Sequence, residues 1–160
     1  EGKTEIATDQ TFIKFVIGKN TVISRLLDGQ FPNYEQLISK EWAFNFSVNG
    51  EELVNSISRV ALIAQKSQIV KLLFQNSELE LQAAAQGVGE AKEKLKVKTK
   101  GQKVEEVAFN AQYLIDGIQA CLMEDDSKEI IFKLNSATSP GIITTKGSKN
   151  FLYLVMPLRV

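Results

Sequence analysis

The chain has 160 residues, of which 44% are apolar, 24% charged and 8% aromatic. These proportions are typical of a folded globular protein and exclude a disordered tail, and the length suffices for one complete domain and part of another. Nineteen Lys and Arg residues balance nineteen Asp and Glu residues, so the formal net charge is zero. Any charged function must therefore come from a local cluster, because no whole-molecule field favours nucleic acid or membrane.

The sequence contains no histidine and only one cysteine, Cys121. The lack of histidine removes the usual general base, the commonest metal ligand and the Ser-His and Cys-His relays. Cys121 falls on the apolar side of a predicted helix, where a cysteine behaves as a small hydrophobic residue rather than a reactive one. We therefore expect a protein that is not an enzyme, with no catalytic residue, no metal site and no cofactor.

Residues 1–40 are predicted to form a hairpin followed by a single helical turn. Apolar and polar residues alternate through 12–17 and 21–27, which is typical of strands, and 35–38 follows Pro32 as one turn of helix. An isolated hairpin is marginally stable in water. This segment is therefore expected to be half of a domain, and the first residue, Glu1 rather than Met, indicates that a segment precedes it.

From residue 43 onward one supersecondary unit is predicted twice. Each copy begins with a strand that runs into a helix capped by an asparagine, Asn49 in the first copy and Asn110 in the second. Three strands follow each helix. The predicted strands are 43–48, 69–74, 79–84, 91–98, 104–109, 130–134, 141–145 and 151–156, and the core-facing helix residues are Leu53, Ile57, Val60, Ala61 and Ala64, then Leu114, Ile118, Cys121 and Leu122. Two β-α-β-β-β units predict an α+β domain in which two helices pack on antiparallel sheets.

A run of lysines crosses the end of the first copy. It comprises Lys92, Lys94, Lys96, Lys98, Lys100 and Lys103. At the two-residue period of a strand, the even-numbered lysines share one face. The pattern fits a solvated face or a strand edge protected against unwanted pairing, and it also fits a stripe that binds phosphate groups.

Two apolar features fall outside the predicted core. Leu62 and Ile63 leave the apolar stripe of the first helix, which favours a partner surface there. The last ten residues stay apolar to the end, and Pro157 is expected to end the final strand and to leave Leu158 and Val160 outside it. Met156 suits a groove that accepts varied peptides, because its side chain is flexible and polarisable.

Three stretches resemble one family. Residues 24–34, Ser-Arg-Leu-Leu-Asp-Gly-Gln-Phe-Pro-Asn-Tyr, resemble the linker of the bacterial replicative sliding clamp, the β subunit of DNA polymerase III, and 153–159, Tyr-Leu-Val-Met-Pro-Leu-Arg, resemble its C-terminus. Residues 109–114, Phe-Asn-Ala-Gln-Tyr-Leu, fit between them. The resemblance covers essentially the whole chain and implies the DNA-clamp fold, in which the chain is a C-terminal fragment.

The resemblance also implies a domain organisation and an assembly. Residues 1–40 would be the C-terminal part of the second clamp domain with the interdomain linker, and 43–160 a complete third domain. Two full-length protomers of the family close into a ring around duplex DNA, without reading its sequence, and by this resemblance the protein would be bacterial, cytoplasmic and nucleoid-associated. The fragment lacks the first domain, so we expect it to be monomeric.

By the same resemblance, a hydrophobic pocket binds short peptides of polymerase, clamp-loader and repair proteins. Its residues here would be Pro32, Gln36, Leu37, Tyr113, Pro140, Leu154, Val155, Met156, Pro157, Leu158 and Arg159. Gln36 stands where some relatives have Arg, and Ser39 where Pro is common, so peptide selectivity is expected to differ.

Two further surfaces are implied by the resemblance. Leu62 and Ile63 would pack against the other protomer, and Arg59 and Lys66, on the polar face of the first helix, would face DNA. Together these assignments describe a processivity factor. The alternative function is a standalone peptide- or nucleic-acid-binding module with the same repeated fold.

Overall fold

The computed structural model describes residues 2–75, 77–102, 104, 106–148 and 151–159. They form two compact units, residues 1–34 and 35–160. Lys103 of the lysine run, Glu105 of the strand predicted over 104–109, and Val160 lie outside the described residues.

The first unit is a three-stranded antiparallel sheet, β1 (Thr4–Thr8), β2 (Phe12–Ile17) and β3 (Asn20–Arg25), in that order. The predicted hairpin is therefore confirmed. Asp9 shapes the β1–β2 turn, because its Oδ1 accepts hydrogen bonds from the backbone N–H groups of residues 11 and 12 at 2.6 and 2.7 Å, which lower the pKa of Asp9. None of the described residues of this unit is fully buried.

A 3-10 turn, Tyr34–Leu37, spans the boundary at residue 34, and the second unit then repeats a strand-helix-strand pattern. Its elements are β4 (Phe44–Asn49), α1 (Gly50–Ala61), β5 (Ile69–Gln75), β6 (Glu78–Ala85), β7 (Gly89–Lys96), β8 (Lys98–Gly101), β9 (Glu106–Asn110), α2 (Ala111–Glu124), β10 (Glu129–Leu134), β11 (Gly141–Thr145) and β12 (Tyr153–Val155). Both predicted helices and their asparagine caps are confirmed. The Asn49 side chain accepts from the N–H of residue 52, and Asn110 accepts from those of residues 112 and 113.

Two antiparallel sheets carry the helices. The five-stranded sheet has the order β12-β11-β10-β4-β8, and the four-stranded sheet has the order β7-β6-β5-β9. Helix α1 packs mainly on the four-stranded sheet, α2 mainly on the five-stranded sheet, and the two helices pack on each other. The predicted α+β class is therefore confirmed.

Aromatic side chains form the centre of the core where the two sheets meet. Phe46 of β4 stacks on Phe132 of β10, with ring centroids 5.3 Å apart, and lies 4.9 Å from Phe74 of β5. Phe109 of β9 adds a further ring 5.5 Å from Phe132. Because β5 and β9 belong to one sheet and β4 and β10 to the other, these contacts join the two sheets.

The first helix is shorter than predicted. It ends at Ala61, where the backbone changes to bonds between residues three apart: Leu62 to Arg59, Ile63 to Val60 and Ala64 to Ala61. This tightening is a common way to satisfy the free carbonyls at a helix end. Ala64 is still buried, but it lies in the turn after the helix, and so do Ile63 and Lys66.

Two strand predictions are also wrong in their bounds. The strand predicted over 91–98 divides into β7 and β8, which belong to different sheets, so nine strands rather than eight form the described part of this unit. The last strand, predicted over 151–156, contains only Tyr153–Val155. In both places the apolar pattern is continuous, and the strand bounds are set instead by which distant strands the backbone pairs with.

Candidate functional site

The C-terminal segment connects the edges of the two sheets. β12 pairs with β11 along the five-stranded sheet, with Val155 opposite Gly141 and Leu154 opposite Ile142. Three residues later the N–H of Leu158 donates to the carbonyl of Ala108 in β9, at 2.8 Å. Leu158 therefore lies outside β12, as expected for a residue after Pro157, but an isolated bridge to Ala108 holds its backbone.

Between these two anchors the segment offers apolar groups to solvent. Met156 is 54% exposed and Leu158 is 37% exposed, whereas Val155 is only 3% exposed and packs into the core. Leu154 and Pro157 are half-buried, and Arg159 is exposed. The accessible part of the segment is thus Met156 to Arg159, and the buried side chain of Val155 anchors the segment to the core.

The start of helix α2 lies beside this segment. Tyr113, in its first turn, is 59% exposed, and Ala108, which binds Leu158, comes just before the helix cap. Pro140 immediately precedes Gly141, the partner of Val155. Tyr113 thus follows by five positions the residue that pairs with Leu158, and Pro140 adjoins the residue that pairs with Val155, while their place in one pocket stays a prediction.

A glycine–tyrosine contact that the sequence did not reveal fixes the distance between α2 and β12. A Cβ at Gly117 would collide with the ring of Tyr153, so the absent side chain leaves room for that ring against the helix. Burial raises the pKa of Tyr153, and the nearby charge of Asp116 adds to the effect. The only signal in the sequence was a glycine inside a helix, which often marks close packing.

The remaining predicted pocket residues are exposed. Gln36 and Leu37 lie in the 3-10 turn of the second unit, where both are exposed and Leu37 is 42% accessible. Pro32 is exposed and belongs to the first unit. Their place in the pocket stays a prediction.

Arg59, predicted to face DNA, is engaged within the protein. Its guanidinium donates to both carboxylate oxygens of Glu93 in β7, at 2.6 and 2.7 Å, and to Ser56 at 3.0 Å. This bidentate hydrogen bond lowers the pKa of Glu93 and raises that of Arg59. A phosphate would have to compete with Glu93, a partner 34 positions away that the sequence alone did not indicate. Lys66 is exposed in the turn after α1.

The predicted protomer interface lies at the end of α1. Leu62 is 65% exposed and lines a groove of about 320 Å³ between α1 and the start of α2, together with Gln65 and Ile115. Ile63 is half-buried. An exposed leucine at a helix end agrees with the prediction of a partner surface without identifying the partner.

Cys121 is fully buried in α2, and its Sγ donates weakly to the carbonyl of Ile143 at 3.5 Å. Burial raises the pKa of the Cys121 thiol to about 11, so the thiol stays protonated at neutral pH. Within the described ranges, no group of three or more His, Cys, Asp or Glu side chains is arranged to hold a metal ion. No helix in the same part of the chain has the length and apolarity needed to cross a membrane.

Comparison with known proteins identifies the family. Residues 35–159 match the family model described as DNA polymerase III beta subunit, C-terminal domain. The beta sliding clamp of Synechococcus elongatus is 36% identical over 155 residues, which cover 95% of this chain and 40% of that protein. The beta sliding clamp of Synechocystis sp. is 32% identical over 158 residues, with 97% and 39% covered.

Solved structures agree with this result. The crystal structure of DNA polymerase III subunit beta from Pseudomonas aeruginosa matches with a TM-score of 0.80 and 27% identity, over 99% of this chain and 42% of that one. A second structure from this organism, described as a sliding clamp bound to griselimycin, matches with a TM-score of 0.79 over 100% of this chain and 42% of that one, at 27% identity. The DNA-clamp fold is confirmed, and the chain spans about 40% of the length of the curated relatives it matches. It belongs to the DNA polymerase III beta subunit family, whose C-terminal domain residues 35–159 match.

Proposed function

We propose that this chain acts as part of a bacterial sliding clamp, a processivity factor that holds the replicative polymerase on duplex DNA. Family membership and relatives named beta sliding clamps support the proposal. The clamp surrounds DNA as a ring and binds polymerase, clamp-loader and repair proteins through peptides. The role is a scaffold rather than an enzyme, it needs no cofactor, and it is exercised in the cytoplasm at the nucleoid.

The domain assignment belongs to this proposal. Residues 1–40 would be the end of the second clamp domain and its linker, and 43–160 the complete third domain. The division of the chain near residue 34 and the family match from residue 35 support a boundary in this region. A ring also needs contacts from a second protomer, for which Leu62 and Ile63 are the proposed surface. The chain by itself is expected to be monomeric.

One observation carries the peptide-binding part of the proposal. The C-terminal segment is anchored by β12 on one side and by the Leu158–Ala108 bridge on the other, yet Met156 stays 54% exposed between them. Because the backbone on both sides of Met156 is already fixed by hydrogen bonds, a ligand can contact this exposed apolar side chain with little further loss of conformational entropy. Tyr113 supplies an aromatic wall with a polar tip, and Arg159 a charge at the rim.

DNA contact is proposed to depend on enclosure more than on affinity. The chain has no net charge, and Arg59 is already paired with Glu93. Lys66 is then the more available of the two candidate phosphate contacts. A single exposed lysine contributes little to phosphate binding. The chain should therefore bind linear duplex weakly, and that binding should weaken further as salt is raised.

The peptide site is tested by titrating the chain with a fluorescent peptide copied from the tail of a replicative polymerase. Met156→Asp and Leu37→Asp should each weaken binding about tenfold or more, because an apolar contact is replaced by a charge that must be desolvated. Met123→Asp is the matched control, since Met123 is also exposed, at 88%, but lies at the far end of α2. Unchanged binding in both Met156→Asp and Leu37→Asp would reject the proposed pocket.

A further inference from the structure

The lysine run noted in the sequence is divided between two sheets. Lys92 and Lys94 lie on β7, at the edge of the four-stranded sheet, whereas Lys98 and Lys100 lie on β8, at the edge of the five-stranded sheet. The chain crosses from one sheet to the other at Val97, which is buried and whose N–H donates to the carbonyl of Ser77. The two halves of the run therefore have different surroundings.

Two of the lysines of β7, Lys92 and Lys94, are paired with carboxylates. Lys92 lies 2.8 Å from a carboxylate oxygen of Glu90, and Lys94 lies 3.6 and 3.5 Å from those of Glu78 and Glu80. The hydrogen bond that Lys92 donates to Glu90 raises the pKa of Lys92. This half of the run fits the interpretation of a charged edge that discourages pairing.

The lysines of β8 face solvent on the side of the five-stranded sheet away from the core. Strand pairing sets Lys100 beside Asn45, and Asn45 in turn beside Lys133 on β10. Because Phe44, Phe46 and Phe132 are buried, the residues that alternate with them point outward. Lys98, Lys100 and Lys146 line a shallow concavity of about 300 Å³ whose floor includes Ser47 and Ile131.

This face carries an excess of positive charge. Glu129 is the carboxylate in the concavity, where it accepts a hydrogen bond from Ser47 at 2.9 Å and lies 3.9 Å from Lys98. Among the residues that the structure describes, Lys100, Lys133 and Lys146 have no carboxylate within 4 Å. Three lysines thus line the concavity with one carboxylate, and Lys133 lies beside Asn45 on the same face, in a protein whose total charge is zero.

We propose that this face, which we call the β8 patch (Asn45, Ser47, Lys98, Lys100, Lys133 and Lys146), binds an acidic peptide of a partner protein in extended conformation. Lys98 and Lys100 are about 7 Å apart along the strand, which is also the spacing of alternate side chains in an extended peptide. Carboxylates at alternating positions would reach both lysines. An intervening or flanking apolar side chain would cover Ile131.

The lining of the patch favours a peptide over nucleic acid. Proteins that bind single strands stack bases on aromatic side chains, and the described lining contains no aromatic residue. Asn45, Ser47 and Thr99 instead offer short hydrogen-bonding groups suited to a peptide. The patch lies apart from Met156 and Leu158. Because its side chains are basic, its acidic ligand also differs chemically from the apolar and aromatic peptide proposed for the C-terminal segment.

The test is fluorescence anisotropy with a short labelled peptide in which Glu alternates with Ser and one central Leu. Lys98→Gln/Lys100→Gln should weaken its binding about fivefold at low salt, since each exposed charge contributes modestly. Lys92→Gln/Lys94→Gln is the matched control, because it removes the same charge from the paired half of the run, and it should change the affinity less than about twofold. Circular dichroism of both variants checks that they fold.

Further arms separate the alternatives. Met156→Asp should leave binding of the acidic peptide unchanged, and Lys146→Gln, outside β8, should weaken it even if the β8 variant proves unstable. Equal losses in both double variants would indicate a general charge effect and overturn the proposal. So would equal binding of the same peptide with Gln in place of Glu, or displacement of the peptide by duplex DNA at lower concentration than by unlabelled peptide.

Discussion

The two units of the chain show how differently strands are stabilised. The sheet β1–β3 has no fully buried described residue, and Ile6, Phe12 and Ile23 are between 47% and 63% exposed. The strands of the second unit instead bury an aromatic cluster around Phe46 and Phe132, both 0% exposed. The strands of both units are paired in regular antiparallel register, so burial of apolar side chains is what distinguishes the strongly stabilised sheets of the second unit from the sheet of the first.

Truncation of a core ring should give the largest difference between the units. Phe132→Ala removes the ring that stacks on Phe46 and contacts Phe109, and it should lower the free energy of unfolding by about 3–5 kcal/mol. Phe12→Ala in the first unit, where the ring is 47% exposed, should cost less than about 1 kcal/mol. Urea unfolding followed by circular dichroism measures both, and similar losses would mean that the two sheets are equally dependent on packing.

The buried thiol of Cys121 makes the stability of the second unit depend on pH. Its pKa is raised to about 11 in the folded state from an ordinary value of 9.0, so the folded protein holds this proton longer than the unfolded chain. Stability from this group is therefore fully present below pH 9 and is lost as the pH rises toward 11, by no more than about 3 kcal/mol. The fall should be smaller in Cys121→Ala, and an identical fall in that variant would assign the effect to other groups.

Packing between α2 and β12 should respond to one added methyl group. Gly117→Ala forces the ring of Tyr153 to move, and it should destabilise the second unit by about 1–3 kcal/mol. Gly2→Ala, at a glycine with no neighbouring atom within 4 Å, is the control in the first unit and should be neutral. Thermal unfolding of the two variants would show equal midpoints only if Tyr153 does not pack against the helix.

The smallest expected effect concerns polar side chains that satisfy backbone N–H groups. Asn110→Ala removes the cap of α2 and should cost about 1 kcal/mol. Asp9→Ala removes the corresponding contacts in the β1–β2 turn. Because the first unit buries so little, Asp9→Ala should leave the main unfolding transition unchanged, and a shift comparable to that of Asn110→Ala would show that the two units unfold together.

Local patterns predicted most of this fold. An asparagine before an amphipathic stretch indicated both helices, and alternation indicated the strands, because caps and periodicity act over a few residues. The division between β7 and β8 was not predictable, since Leu95 and Val97 alternate as one strand would and both are buried. What separates them is pairing with β6 on one side and β4 on the other, far away in sequence.

The candidate site was predictable in part for the same reason. The apolar end of the chain and Tyr113 stood out as residue types, and the family resemblance associated them. The bridge from Leu158 to Ala108 and the pairing of Arg59 with Glu93 join residues 50 and 34 positions apart, so only the folded structure reveals them.

The central claim, that peptides bind at the C-terminal segment, is tested most directly through the two methionines of the chain. They are Met123 and Met156, so a protein labelled with ¹³C at the methionine methyl groups gives two signals, which Met123→Leu assigns. On titration with the polymerase-tail peptide, the Met156 signal should shift and saturate with the dissociation constant measured by fluorescence, while the Met123 signal stays in place. Saturable binding that shifts Met123 and leaves Met156 unchanged would contradict the account.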